Sequence, residues 1–336
     1  MLRIKDALAF ERFDVISRAV VNDDVKDGEK LHIELPNYLD VSRGNIAAIS
    51  EWEDNQVIVT NEHMKQRIRF SCRNAKPKGV CFESKLASCS RLYVADGWTI
   101  LLKDIETGQT LAEHSTSRYM RFWGMSVVES GRSALVCACA PSEGLVAIFD
   151  KSLEQYVGSW HYGRGVSLAS PWETYALDES KRILPYGIAR NGQIIASTDE
   201  SCGIIIEPDT ATWTTTQIPT TPDCPLALND RKASIGANTR VMFQIGHKLT
   251  GENIAGYAAY DIVCDDFGNL ALTDSTMAQI SIIRPAANTT SMQSIQLRQS
   301  SQPIGISLMP NSDIVFTDHS RAGLNFIKTY ITQIRN

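Results

Sequence analysis

Four aspartates recur at the ends of short apolar runs and are the candidate metal ligands of this sequence: Asp96, Asp199, Asp274 and Asp318. A ring of carboxylates could bind a hard divalent cation, because such ions prefer oxygen ligands. An aspartate at the end of a strand can instead accept a hydrogen bond from the backbone two residues further on and so close a turn. Because all four occupy the same position of a repeated pattern, we favour the turn and keep the metal site as the alternative.

The histidines and the glycine-containing turns form no catalytic motif. The six histidines are scattered singly, without the i, i+2 or i, i+4 spacing of a metal-binding pair. No G-x-S-x-G nucleophile elbow occurs, and no turn matches the Walker or G-x-G-x-x-G phosphate-binding patterns. The sequence therefore favours a protein that is not an enzyme and that needs no cofactor.

The most unusual stretch is GSWHYGRGVSLASPWETY at 158–175, which concentrates aromatic residues and arginine. These residue types are enriched at binding hot spots, because they bury a large area at a low cost in side-chain entropy. A long connection in a repeat protein commonly lies on one rim and carries function. The alternative is that the aromatic side chains only cover the rim. We predict that five of the residues form a binding surface: Trp160, His161, Tyr162, Arg164 and Trp172.

Composition and charge exclude several classes of protein. The chain has 336 residues, of which 43% are hydrophobic and 21% are charged. These values are typical of a soluble globular protein and suffice for one large β architecture. The net charge is -5, and no run of lysine or arginine exceeds a few residues. We therefore predict neither a nucleic-acid partner nor a basic patch that binds membranes.

The N-terminal segment and the cysteines indicate an intracellular, cytoplasmic protein. Charged residues interrupt residues 1–20, so that no signal-peptide core is present. A membrane-spanning helix needs about 18 consecutive apolar residues, and no stretch of this sequence approaches that length. Of the eight cysteines, none forms the C-x-x-C spacing of a zinc site, and Cys137-x-Cys139 comes closest. Because free cysteine packs as a small hydrophobic residue, we predict buried, reduced thiols.

Short strands must position these residues, because the chain repeats one unit of apolar runs and turns. In YDIVCDDFGNLALTDSTMAQISII at 260–283, a strand, a turn and a second strand lead to Asp274, and a third strand follows. Clear copies lie at 77–108, 185–210 and 303–330. More degenerate copies lie at 46–72, 123–150 and 225–245.

The residues that end the second strand of each unit define the period. They are Asn61, Asp96, Ala138, Asp199, Asn238, Asp274 and Asp318. With one insertion at about 161–184, successive units are about 40 residues long, which is the length of a four-stranded propeller blade. We therefore predict an all-β fold, a single β-propeller of seven blades, with six blades as the alternative.

The N-terminal residues 1–44 contain two further strand candidates, at 14–21 and 30–36. A ring must join its last blade to its first, and an N-terminal strand added to the last sheet removes two exposed edges. We predict that residues 1–44 close the ring, with one strand completing the last blade beside 324–334. Residues 45–336 then form the propeller.

Three of the units resemble NHL repeats, whose usual form is a G-I-A-V-D strand, a G-N-I-Y-V-A-D strand and an I-x-x-F strand. The stretches that carry the resemblance are GVCFESKLASCSRLYVADGWTILLKD, YDIVCDDFGNLALTDSTMAQISII and IGISLMPNSDIVFTDHSRAGLNFI. The resemblance implies a propeller over most of residues 46–330. NHL-like propellers include protein-binding and RNA-binding scaffolds, and propellers of the regucalcin or lactonase type are related to them by fold.

Two functions remain open after these observations. The first is a non-enzymatic scaffold for protein interaction, or a structural subunit of a larger cellular or viral assembly. The second, implied by the related propellers, is a metal-dependent hydrolase of the lactonase type with its site at the central channel. Such enzymes carry an N-G-L-x-x-S-P-D-G motif, and the nearest stretches here, NSDIVFTD and RNGQIIASTD, lack parts of it. We favour the scaffold, and we disfavour RNA binding because the basic residues are sparse.

Overall fold

The fold is known from a computed structural model, which describes part of the chain in detail. The described residues are 9–16, 33, 35–51, 55–61, 63, 66–73, 77–84, 86, 88–116, 120–130, 133–141, 145–154, 156–161, 185–190, 194–198, 202–208, 237–244, 259–264, 270–275, 277–284, 291–311, 313–320 and 324–332.

The described residues form 24 β-strands. The N-terminal strand is β1 (Ala9–Ile16). The next eight are β2 (Pro36–Val41), β3 (Ala47–Glu51), β4 (Gln56–Thr60), β5 (Gln66–Ser71), β6 (Val80–Phe82), β7 (Arg91–Asp96), β8 (Thr99–Asp104) and β9 (Thr110–Ser115). They are followed by β10 (Met125–Ser130), β11 (Ser133–Ala140), β12 (Leu145–Asp150), β13 (Tyr156–His161), β14 (Pro185–Arg190), β15 (Ile194–Thr198), β16 (Cys202–Pro208) and β17 (Ala237–Gln244). The last seven are β18 (Ala259–Cys264), β19 (Leu270–Asp274), β20 (Gln279–Arg284), β21 (Ser291–Gln296), β22 (Pro303–Leu308), β23 (Ile314–Asp318) and β24 (Leu324–Thr332).

These strands form a single all-β propeller. Five antiparallel sheets take four consecutive strands each, starting at β2, β6, β10, β14 and β18, and the sixth has the order β22, β23, β24, β1. The first strand of each sheet contacts the first strand of the next, and β22 contacts β2, so that the six first strands complete a cycle. The first strands are therefore innermost in the ring, and the six sheets are its blades.

Burial follows the radial position of each strand. Every residue of β2 and β3 is buried, whereas every residue of the outer strands β5 and β9 is partly exposed or exposed. Inner strands are covered on both faces by the neighbouring blades, and hence they need apolar residues on both faces. Asn45 and Asn55 lie in the hairpin turns of the first blade with φ of 59° and 52°, a conformation that asparagine tolerates better than most residues.

The N-terminal strand and the C-terminal strand share the sixth sheet. β1 pairs antiparallel with β24, for example through Phe10 with Ile331 and Ile16 with Phe326. Since β1 comes from the start of the chain and β22–β24 from its end, this pairing links the two ends of the sequence within one blade.

The first blade begins earlier than the sequence pattern suggested. β2, at residues 36–41, is its innermost strand and lies before the predicted boundary at residue 45. In consequence the second strand of this blade ends at Glu51, and Asn61 follows the third strand. The sequence PNYLDV conceals the strand, because asparagine and aspartate interrupt its apolar residues.

The count of seven blades is not confirmed, since the described strands form six sheets. The predicted unit at 225–245 accounts for the difference. Its residues 237–244 form β17, the outermost strand of the sheet that begins at β14, and Asn238 pairs there with Glu207. Asn238 therefore lies in a fourth strand and does not end a second strand.

Hydroxyl side chains join the innermost strands of neighbouring blades. Thr317 of β23 accepts a hydrogen bond from Gly305 N of its own blade (2.8 Å) and donates one to Asn37 O of the first blade. Thr273 connects Asp261 N (3.0 Å) to Ile304 O (2.7 Å) in the same way. Ser50 connects the first and second blades by an equivalent pair of bonds, from Tyr38 N and to Lys78 O. Each hydroxyl thus satisfies two backbone groups at the edges of two inner strands.

The inner strands approach each other so closely that glycine is required at two of these positions. A β-carbon at Gly305 would lie 2.7 Å from Asn37 O and from Leu39 N. At Gly79 it would lie 2.0 Å from Trp123 O. Because backbone atoms cannot yield as a flexible side chain can, both glycines permit a contact that alanine would prevent.

His114 of the outer strand β9 packs between the second and third blades. Its Nδ1 lies 3.0 Å from Leu153 O, and its ring centroid lies 4.9 Å from that of Phe149. Burial lowers the pKa of His114 below the ordinary value of 6.5, although the bond to Leu153 and the charge of Asp150 act in the opposite direction. The fold therefore favours the neutral imidazole.

We expect the substitution Thr317→Val to lower the free energy of unfolding by about 1–3 kcal/mol, because it leaves buried Gly305 N and Asn37 O without their shared partner. Valine has nearly the same shape and suits a strand. The matched control is Thr110→Val on the exposed outer strand β9, which should change the stability by less than about 0.5 kcal/mol. Urea unfolding measures both variants. Equal effects would contradict a special role for the bridge.

We expect His114 to make the fold less stable as the pH falls. Because its folded pKa lies below 6.5, the unfolded chain binds the extra proton first, and stability is lost as the pH drops below 6.5 towards the folded pKa. The contribution is fully present above 6.5. Urea unfolding at pH 7.5 and 5.5 should therefore show a smaller pH dependence in His114→Gln than in the parent chain. An unchanged pH dependence would contradict this assignment.

Candidate functional site

The carboxylate of Asp318 accepts three hydrogen bonds. Its Oδ1 receives them from Gln302 N at 2.8 Å, Ser320 N at 3.0 Å and Ser320 Oγ at 2.6 Å. The residue is only 2% exposed. It therefore closes the turn after β23 and also fixes the segment that leads into β22 of the same blade.

The equivalent aspartates of two other blades have the same kind of partner. Asp274 accepts from Met277 N at 2.9 Å and from Gln279 Nε2 at 3.2 Å. Asp96 accepts from Arg73 N at 2.8 Å. Asp199 lies outside the described residues. In the part of the chain that the structure describes, no three His, Cys, Asp or Glu side chains group as a metal site would require.

Two further carboxylates connect innermost strands. Asp40 Oδ2 accepts from Phe82 N of the second blade at 2.9 Å, and its Oδ1 accepts from Ser307 Oγ of the sixth blade at 3.2 Å. Asp261 Oδ2 accepts from Ile306 N of the sixth blade at 3.0 Å. Both residues are at least nine-tenths buried. Their oxygens are thus directed to backbone N–H groups between the blades.

The buried cysteines are poor nucleophiles. Burial is the main cause that raises the pKa of Cys72 to about 12, with the charge of Asp96 second. Burial also raises the pKa of Cys137 and Cys139 far above the ordinary value, and the Asp261 charge adds to it for Cys139. A thiol must ionise to attack a substrate, so these side chains remain packed and neutral.

The strand ends that flank the predicted aromatic surface lie at one particular face of the ring. Successive strands of a blade alternate in direction, so the second and fourth strands end where the first strand begins; we call this the top face. Trp160 and His161 are the last two residues of β13, a fourth strand, and β14 begins at Pro185. The strand ends on either side of residues 162–184 therefore lie at the top face.

Only two of the five predicted surface residues fall in a described strand. Trp160 pairs through its backbone with Val146, and His161 pairs with Leu145. Tyr162, Arg164 and Trp172 lie outside the described residues. The surface as a whole stays a prediction.

A second group at the top face contains residues that the sequence analysis did not select. Lys78 Nζ lies 3.4 Å above the centroid of the Trp123 ring. Trp123 stacks on Tyr260, with ring centroids 6.2 Å apart and planes inclined by 19°. Lys78 precedes the second blade's first strand, Trp123 precedes that of the third, and Tyr260 lies at the start of the fifth. Because the third and fifth blades are not adjacent, their contact spans the central channel.

Asn37 belongs to the same ring of positions. Its carbonyl accepts from the hydroxyl of Thr317, just as Lys78 O accepts from that of Ser50. Asn37 is 4% exposed, and its Nδ2 has no hydrogen-bond partner. We refer to Asn37, Lys78, Trp123 and Tyr260 as the channel-mouth cluster.

A second contact between non-adjacent blades also involves Tyr260. Tyr38 of the first blade donates from its hydroxyl to Tyr260 O of the fifth blade at 3.0 Å. Gly305 of the intervening sixth blade lies against Tyr38 Cα and has no side chain to obstruct the phenol. The position of Tyr260 is thus fixed by a residue two blades away around the ring.

A sequence signal for the cluster does exist. Gly79 and Gly124 directly precede β6 and β10, Gly305 lies near the start of β22, and the residue before each glycine belongs to the ring of positions at the channel mouth. Lys78 and Trp123 are two of these preceding residues.

Comparison with solved structures supports the propeller fold. The β-propeller domain of Myceliophteria thermophila Cps50 (Swd1) matches 95% of this chain and 100% of its own, with a TM-score of 0.55 and 12% identity. Virginiamycin B lyase from Staphylococcus aureus matches 95% and 100%, with a TM-score of 0.55 and 13% identity. Regucalcin from Agrobacterium tumefaciens matches 88% and 90%, with a TM-score of 0.53 and 12% identity. At these identities the likeness establishes the fold alone.

Comparison of the sequence adds no family. No protein-family profile matches the chain, and no curated protein matches it. The resemblance to NHL repeats therefore remains a resemblance. Within the described residues, no helix is long and apolar enough to cross a membrane.

If Asp318 is structural, as its three hydrogen bonds indicate, Asp318→Asn should lower the free energy of unfolding by about 1–3 kcal/mol, since a neutral amide accepts more weakly than a carboxylate. Glu113→Gln on the exposed outer strand β9 is the matched control and should have little effect. Addition of EDTA should leave the melting temperature of the parent chain unchanged. A metal site would show the reverse pattern, with an EDTA-dependent loss of stability that Asp318→Asn removes.

Proposed function

We propose that this chain is a non-enzymatic β-propeller that binds a protein partner through its top face, as an interaction scaffold or as a structural subunit of a larger assembly. The carrying observation is that the Lys78–Trp123–Tyr260 contact and the two ends of the 162–184 connection lie at the same face of the ring. Tryptophan, tyrosine and arginine are enriched at the centre of protein interfaces. One face thus offers the residue types that bind partners.

The placement of the carboxylates favours this proposal over a lactonase-type hydrolase. Asp96, Asp274 and Asp318 accept backbone N–H groups at the ends of second strands. Asp40 and Asp261 do so between inner strands. A metal site would need several of these oxygens to converge on one point. The solved structures of similar fold include a lyase as well as a propeller domain, and so they favour neither function.

The proposal also concerns blade number, location and partner type. The propeller that we propose has six blades, because six first strands contact each other in a cycle. A reducing, intracellular location suits Cys72, Cys81, Cys89, Cys137 and Cys139, whose sulfurs are not joined in disulfides in the described part of the chain. A protein is a better partner than nucleic acid, because the net charge is -5.

The experiment is affinity purification of the tagged chain from its native cells, followed by identification of stoichiometric partners. The double variant Trp160→Ala, Arg164→Ala should lose the partner, because it removes two large side chains of the predicted surface. We expect at least about a tenfold loss of affinity when the purified partner is titrated, as for residues of a binding hot spot.

The matched control changes one apolar and one basic residue at the opposite face. Leu86, which is 60% exposed, follows a first strand, and Lys151, with a 48% exposed side chain, follows a third strand. The variant Leu86→Ala, Lys151→Ala should bind as the parent does. If the two double variants behave alike, the top face is not the contact surface. One divalent ion held tightly per purified chain would favour the hydrolase.

A further inference from the structure

We propose that a patch over the second blade, formed by Arg73, Trp98 and Arg121, binds an acidic, extended segment of the protein partner. The two arginines bind aspartate or glutamate side chains, and Trp98 packs against an apolar or aromatic residue of the same segment. These three residues are called the second-blade patch. This inference rests on the proposed function, since it specifies which chemistry of a partner the top face recognises.

Backbone hydrogen bonds hold the two arginines beside one turn of the top face, the turn that joins β7 to β8. Arg73 N donates to Asp96 Oδ2 at 2.8 Å. Phe122, the residue after Arg121, donates from its N to Gly97 O at 2.8 Å. One arginine precedes the second blade in the chain and the other follows it. Because the two acceptor residues are consecutive, the arginines flank the same turn.

The guanidinium groups of the patch are available to a partner. Both arginine side chains are exposed, and within the described part of the chain neither guanidinium forms a hydrogen bond or an ion pair. By contrast, the exposed Arg67 is paired with Glu106. Arg91 is likewise paired with Glu83. A guanidinium presents a planar fork of N–H donors that matches the two oxygens of a carboxylate.

The patch has no exposed acidic side chain that could neutralise the arginines. The segments 71–79, 96–99 and 115–124 contain one acidic residue, Asp96. It is 0% exposed, and its carboxylate accepts the hydrogen bond from Arg73 N. The charge at this surface is therefore positive, although the whole chain has a net charge of -5. A local positive surface selects an acidic segment over a basic one.

Trp98 provides an apolar surface between the two arginines. Its carbonyl accepts from Thr116 N at 3.0 Å and from Thr116 Oγ1 at 2.9 Å, so that the backbone of the turn is held by the connection that follows β9. The residue is partly exposed. An indole buries a large area at a low cost in side-chain entropy, which suits it to contact an aromatic residue of a partner.

The size of the patch favours a protein segment over nucleic acid. Nucleic acid binds through many phosphate contacts, and two guanidinium groups over one blade neutralise few phosphates. The net charge of -5 also repels a long polyanion. A short acidic segment with one aromatic residue matches both the charge and the apolar surface.

The test uses the full purified chain and three blocked peptides, acetyl-Glu-Glu-Phe-Glu-Glu-amide and its analogues with glutamine or lysine in place of every glutamate. A short single-stranded oligothymidine is the fourth probe. Titrations followed by NMR at low ionic strength give the affinities. The glutamate peptide should bind about tenfold or more tightly than the glutamine peptide, as expected for charge-assisted hydrogen bonds. Its affinity should fall as salt is added, because the patch is exposed.

Three results would overturn the proposal. Equal affinities for the glutamate and glutamine peptides would show that the arginines do not bind carboxylates. Tightest binding of the lysine peptide would show that the surface attracts cations. Tightest binding of the oligothymidine would assign the patch to nucleic acid.

Variants assign the roles. Arg73→Gln and Arg121→Gln should each weaken binding of the glutamate peptide by about threefold, as for an exposed ion pair, and the double variant should no longer prefer it to the glutamine peptide. Trp98→Leu should weaken the binding of both peptides. The matched control is Arg298→Gln, an exposed arginine that follows β21 at the same face but away from the second blade; it should bind as the parent does.

Melting curves identify any variant that fails to fold, and Trp98→Phe replaces Trp98→Leu if the latter does. Unchanged selectivity in the folded double arginine variant would reject the patch. An equal loss of selectivity in Arg298→Gln would also reject it, because the effect would then follow from total charge.

The two proposals fail in different ways. If the purified partner is lost by the Trp160 and Arg164 variant but retained by the variant that changes both Arg73 and Arg121, the proposed function stands and the second-blade patch is rejected. If the parent chain has no stoichiometric partner, the proposed function is rejected, and the selectivity among the four probes still decides the chemistry of the patch.

Discussion

The backbone edges of the innermost strands impose the main constraint on this ring. An inner strand pairs with its own sheet on one side only, and its other edge would leave buried N–H and C=O groups unsatisfied. Side chains from the adjacent blade fill this need: the hydroxyls of Ser50, Thr273 and Thr317, and the carboxylates of Asp40 and Asp261. Burying each of these side chains costs little free energy, because the side chain forms hydrogen bonds with the backbone. The ring can close because these hydrogen bonds take the place of the backbone ladder that is absent between neighbouring blades.

This constraint also separates structural polar residues from those available for function. Aspartate, serine and threonine within the inner and second strands are used to join blades or to close turns. Asn37, Lys78 and Ile304, which lie at or just before the start of their first strands, contribute a backbone carbonyl to these bridges. The bridges do not constrain the side chain at this position, so its type can differ between blades. The observed types are asparagine, lysine, tryptophan, tyrosine and isoleucine at 37, 78, 123, 260 and 304.

The sequence was sufficient for the fold because each blade is specified locally. Alternating apolar runs and an aspartate at the end of the second strand identify the unit in LALTD and IVFTD, which are β19 and β23. The number of blades was harder to predict, because the sequence of a strand such as Ala237–Gln244 does not show which sheet the strand joins. The channel-mouth cluster was missed for a related reason. Lys78, Trp123 and Tyr260 are far apart along the chain and meet only when the ring closes.

The seam between the second and third blades shows how closure produces this cluster. Ala95 of the second blade stands where other blades have serine or threonine, directly opposite Gly79, which precedes β6. Without a bridging hydroxyl the backbones approach directly, and a β-carbon at Gly79 would lie 2.0 Å from Trp123 O. This close approach brings Lys78 beside Trp123, where the ammonium can rest on the indole. A seam of small residues thus positions a cation and an aromatic ring at the channel mouth, and the long-range contact to Tyr260 extends the site across the axis.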